Sequence, residues 1–83
     1  MNYLVFAKSS GPMRPVYHST EWKDAARVQG QIHQTQRSNP AWLGEFEPED
    51  LEYFEIHPKQ VGWLPGKHSE QIRQLFTKET SNV

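Results

Sequence analysis

The chain has 83 residues, no cysteine, ten aromatic side chains, and nine basic against ten acidic side chains for a net charge of −1. A single small core is all this length allows, with no disulfide or thiolate metal site to brace it, so aromatic packing must supply the stability. No apolar run reaches the roughly 18 to 20 residues of a membrane span, and MNYLVFAKSS lacks the basic start and long apolar stretch of a signal peptide, so the expectation is a cytoplasmic protein without a membrane partner.

Residues 3 to 8, YLVFAK, are apolar and β-prone with no polar face, the pattern of a central strand covered on both sides. SSGPMRP follows as turn chemistry, with Gly11 open to positive φ and Pro12 fixing its own. VYHS, residues 16 to 19, reads as a second strand. Pro15 lacks an N–H and therefore belongs at a sheet edge or at the start of that strand.

A helix is expected over residues 20 to 38. Ser19 or Thr20 can cap it, Glu21 and Asp24 suit the positive end of its dipole, and Trp22, Ala25, Ala26, Val28 and Ile32 form an apolar stripe. Gly30 weakens it locally and Asn39-Pro40 ends it.

In AWLGEFE, the even positions Trp42, Gly44 and Phe46 share one face, with Leu43, Glu45 and Glu47 on the other. LEYFEIH alternates in the same way, so the two segments read as a second hairpin closed by a three-residue loop, Pro48-Glu49-Asp50. That register sets Trp42 opposite Ile56, Gly44 opposite Phe54 and Phe46 opposite Glu52. Its outward side would gather Glu45, Glu47 and Glu55 with Tyr53 and His57. PKQVGWLPGKH then reads as an irregular connection, and Ser69 caps a short helix of about ten residues with Ile72, Leu75 and Phe76 on one side. The fold expected is α+β in ββαββα order: a small antiparallel sheet of two hairpins, one main helix packed on a face and a short C-terminal helix. Residues 1–78 form one compact domain and 79–83 a frayed tail.

Charge is unevenly placed. Residues 1–43 carry five basic side chains against two acidic ones, and residues 44–83 four against eight. Six of those acids fall between Glu45 and Glu55. Two readings compete: a solvated edge that keeps a hairpin soluble, or a docking surface for a basic partner. Neither metal nor catalytic chemistry is indicated. His18, His33, His57 and His68 lack zinc spacing, the acidic run lacks the calcium-loop glycine, and there is no GxSxG, no Cys and no phosphate-cradling glycine cluster. No cofactor and no enzymatic activity are expected.

The function this favours is non-catalytic protein binding, of the kind served by a small phage or mobile-element inhibitor or adaptor. Glu45, Glu47, Glu49, Asp50, Glu52 and Glu55 would meet a basic surface, with Tyr53 and Trp63 as apolar anchors. Trp63 with Ile72, Leu75 and Phe76 also forms an apolar patch compatible with a homodimer. The alternative is a nucleic-acid-binding module in which Tyr3, Phe6 and Tyr17 stack bases while Lys8, Arg14, Arg27 and Arg37 follow phosphates. Against it stands a pI of about 6.4, far from the usual basic footprint.

Overall fold

The computed structural model describes residues 1–8, 11–36 and 41–81, the side chains of the last four excepted. The chain order is β1 (Asn2–Ala7), β2 (Arg14–Ser19), α1 (Trp22–Thr35), β3 (Trp42–Phe46), α2 (Pro48–Tyr53), β4 (Gly62–Trp63) and α3 (Lys67–Ser81). The strands form one antiparallel sheet in the order β3-β1-β2-β4, which with α1 and α3 makes the α+β fold expected. Among the described residues no helix is long and apolar enough to cross a membrane.

β1 is interior and covered on both sides, as its unbroken apolar run requires, with Leu4, Val5 and Ala7 fully buried. Pro15 stands second in β2, opposite Phe6, where the β1–β2 register shifts and leaves Val16 as the extra residue. A residue without an N–H is tolerated at such an irregularity.

Two cores lie on opposite faces of the sheet. On one, α1 and α3 pack Ala25, Val28, Ile32 and Ile72 against Val5, Ala7 and Tyr17. On the other, α2, the loop after it and the residue that follows β4 bring Leu51, Ile56 and Leu64 onto Leu4, with Phe6, Phe46 and Phe54 around them. The Tyr17 hydroxyl ties β2 to α1 by donating to Asp24 Oδ2 at 2.6 Å, while Arg27 bridges to Asp24 Oδ1 at 2.8 Å. Burial, then the bond to the Asp24 carboxylate, pushes the Tyr17 phenol up to about 12.

The second hairpin is the main correction. β3 pairs with β1, not with residues 51–57, and Trp42, Gly44 and Phe46 face Phe6, Leu4 and Asn2. Residues 48–53 are helical instead. Pro48 occupies the first helical turn, where its missing N–H costs nothing, and a capping box closes that end. The Glu47 carboxylate accepts from the Asp50 N–H, and the Asp50 carboxylate accepts from the Glu47 N–H at 3.2 Å. At the other end, Ile56 N–H donates to Leu51 O (2.9 Å) and Glu55 N–H to Glu52 O (3.0 Å), the paired bonds of a Schellman motif. Glu55, at φ 59°, takes the left-handed position where glycine is usual.

Helix limits also differ from expectation. α1 spans 22–35 with Glu21 as its N-cap residue, and Ser19 Oγ accepts from the Glu21 N–H rather than capping the helix itself. Trp22 leaves the apolar stripe and is 58% exposed, while Ala25, Val28 and Ile32 are the residues of α1 that are buried. Arg37 and the Asn39-Pro40 stop lie outside the described residues. α3 begins at Lys67, so Ser69 is buried within its first turn and not at the cap, and the helix runs through Ser81. The first three residues of the expected tail thus belong to α3, and Asn82 and Val83 lie outside the described residues.

Candidate functional site

The acidic run does not line one ribbon face. Its six carboxylates divide among β3, α2 and the turn after α2, so the grouping of Glu45, Glu47 and Glu55 with Tyr53 and His57 on one hairpin side is dissolved. Glu45 is exposed on edge strand β3, opposite Tyr3. Glu47 and Asp50 are occupied with the N-terminus of α2, where backbone donors and the helix dipole favour negative charge. That is a local structural use for two of the six.

Glu49, Glu52 and Tyr53 stand at i, i+3 and i+4, on one side of α2, while Leu51 alone is buried beneath the helix. All three are exposed, Tyr53 at 83%. The Tyr53 ring meets Phe54 edge-on at 5.1 Å, and Phe54 in turn contacts Phe6 (5.4 Å) and Phe46 (5.8 Å). The exposed ring thus stands on helix α2 and touches the rim of the second core through Phe54. Glu55 follows at the Schellman turn. Among the described residues, the ion pairs are Arg27–Asp24 and Arg73–Glu70, so Glu45, Glu49, Glu52 and Glu55 are not neutralised by a basic side chain.

Trp63 is not part of this surface. It sits half-buried on β4, its ring 5.3 Å from Tyr17 and 5.2 Å from Phe76, and closes the first core between β2 and α3. The apolar residues of α3 join it there: Ile72 is buried, and Leu75 and Phe76 are half-buried. The residues named for nucleic-acid binding are dispersed. Tyr17 is buried with its hydroxyl committed to Asp24, Arg27 is paired, Tyr3 and Phe6 are half-buried on opposite faces of the sheet, and Lys8 and Arg14 are exposed at the β1–β2 end.

Two exposed aromatics were not anticipated, Trp22 and Trp42, the latter 60% exposed at the start of edge strand β3. Trp42 does share the Gly44 and Phe46 side, as alternation predicted, but a sheet edge leaves its ring unroofed. Segment 54–65 also contributes Phe54, Ile56, Leu64 and Pro65, with Pro15, to a shallow cleft of about 330 Å³. Sequence alternation hid that cleft because it assigned those residues to a strand and a connection. Among the described residues, no group of three or more His, Asp or Glu is gathered as a metal would require. Comparison with protein-family models, with curated proteins and with solved structures found no match to this chain.

His18 lies on the α2 side of the sheet, fully buried, and its Nε2–H donates to Asn2 Oδ1 at 3.1 Å, while Nδ1 has no partner among the described residues. Burial pushes the imidazole below its usual value of 6.5. The unfolded chain therefore takes up this proton more readily than the folded one. The contribution to stability is complete above about pH 6.5 and is lost as pH falls toward the folded value. The expected result is that His18→Leu, compared with wild type by urea unfolding at a series of pH values, removes a slope of up to about 1.4 kcal/mol per pH unit below 6.5. Parallel curves for the two proteins would show that His18 does not resist protonation.

Proposed function

We propose that this protein is a non-catalytic binding module that docks the surface of α2 on a basic protein, as a cytoplasmic inhibitor or adaptor would. The observation that carries this reading is Tyr53, 83% exposed on α2 and in edge contact with Phe54, close in the chain to the exposed carboxylates of Glu49, Glu52 and Glu55. An aromatic anchor supplies contact area at low conformational cost, and surrounding charge steers encounter and fixes orientation. Glu45, on the neighbouring edge strand, extends the same sign of charge. Glu47 and Asp50 contribute to the field while serving the cap.

This differs from a hairpin ribbon in what it demands of the partner. A short convex helix presents its charges around one aromatic ring, so the complementary surface is a basic hollow and not a flat basic strip. The experiment is capture from lysate at low salt, comparing wild type with Glu49→Lys/Glu52→Lys and with Tyr53→Ala. The expected result is one basic protein held by wild type, released by moderate salt, and lost at least about tenfold in each variant, with unchanged unfolding midpoints. A partner retained equally by all three proteins, or nuclease-sensitive nucleic acid in its place, would remove α2 from the binding surface.

A further inference from the structure

Two shallow clefts adjoin along Glu55, Ile56 and His57. The first, of about 330 Å³, sets the apolar side chains of Pro15, Phe54, Ile56, Leu64 and Pro65 beside the polar Glu55, His57 and Gln60. The second, of about 380 Å³, runs over Ile56, His57 and Pro58 and has Glu52 and Glu55 in its wall. Neither carboxylate has a basic partner among the described residues. The floor of Phe54, Ile56 and Leu64 thus continues into a volume whose charge is unanswered within the described structure.

We infer that this groove receives an extended segment of the basic partner, an apolar side chain entering the Phe54/Ile56/Leu64 cleft and an adjacent arginine reaching Glu52 and Glu55. The inference rests on the protein-binding reading above and names the part of the partner that is read. Charge complementarity selects the occupant. An aliphatic ligand would fill the first cleft and leave both carboxylates unanswered, and an anion would be repelled by them. Arginine suits the second cleft because its planar fork bonds carboxylates in two directions while its stem and flat face lie on apolar and ring surface, here Ile56 and Pro58. The pre-formed turn holds Glu55 without help from the ligand, since its backbone is fixed by the bonds from Glu55 and Ile56 to Glu52 and Leu51.

That backbone also gives a clean test. Glu55 is in the left-handed region, where glycine is favoured, so Glu55→Gly removes the carboxylate while making the turn more stable. The probes are the end-capped peptides acetyl-Gly-Leu-Arg-Gly-amide and acetyl-Gly-Arg-Leu-Gly-amide, each with a citrulline counterpart, titrated into the intact protein and followed by amide chemical shifts. At least one arginine peptide is expected to shift the amides of Phe54, Glu55, Ile56, His57 and Leu64 saturably. Citrulline is expected to weaken binding about fivefold, and so is Glu55→Gly with Glu52→Gln, even though Glu55→Gly raises the melting temperature. Equal binding of the citrulline peptides, saturable shifts confined to other surfaces, or no saturable shift at millimolar peptide would each overturn the inference. If the groove fails in this way while partner capture still depends on Glu49 and Tyr53, only the groove falls and the α2 surface stands.

Discussion

Leu51→Ala is expected to lower the free energy of unfolding by about 2–5 kcal/mol, measured by urea or guanidinium denaturation. Leu51 is fully buried against Leu4, Ile56 and Leu64. It also supplies the carbonyl that the Ile56 N–H reaches, so the side chain and the backbone at this position hold the same turn. A domain of this size has a total stability of only about 4–12 kcal/mol, and the loss would consume a large part of it. The comparison is sharp because a strand through 51–57 would place Leu51 on the outward side with Tyr53 and Glu55, where truncation changes stability by about 0.5 kcal/mol or less. Tyr53→Ala is the matched control, expected to cost under about 1 kcal/mol because its ring is mostly in water. A small effect at Leu51 would return the segment to a strand and dismantle the surface built on α2.

Gly44→Val is expected to destabilise by about 1–3 kcal/mol, against the direction of strand propensity. A Cβ at Gly44 would stand 2.6 Å and 2.9 Å from two carbons of the Phe46 ring, which lies back over the glycine. A free phenyl ring would simply turn away. This one is held by Phe6 at 5.7 Å and Phe54 at 5.8 Å, so displacing it breaks two ring contacts of about 0.5–1.5 kcal/mol each. In the double variant Gly44→Val/Phe46→Ala the obstructing ring is gone, and the combined loss is expected to fall short of the sum by about 1 kcal/mol or more. Additive losses, or a stabilised Gly44→Val, would mean that the ring is not seated over the glycine.

The candidate site was only partly legible. The abundance of carboxylates between Glu45 and Glu55 and the presence of Tyr53 among them are plain in the sequence. Their grouping was misread because GEFEPEDLEYFEIH satisfies a period of two well enough to resemble a hairpin. The competing signal was also present. Glu47-Pro48-Glu49-Asp50 places proline at the first helical position with acids in the first turn and a reciprocal cap three residues apart, which is the chemistry of a helix start. No comparable mark announces Glu55, since a glutamate carries no propensity for the left-handed conformation it adopts.

Local chemistry by itself determined that β1 is central, since YLVFAK has no polar side to offer water. It also determined the first hairpin, set by Gly11, Pro12 and Pro15, and the presence of α1 and α3, set by their apolar spacing. The tertiary structure decided the rest. The outer edge of β3 would have accepted residues 51–57 as a strand, but they turn instead across the face of the sheet, where Leu51 and Ile56 bury against Leu4. Trp22 and Trp42 stay in water while Trp63 goes inside for a related reason. The burial of a ring depends on whether another element lies above it, and Tyr17 and Phe76 lie against Trp63 only after β4 and α3 have docked on β2.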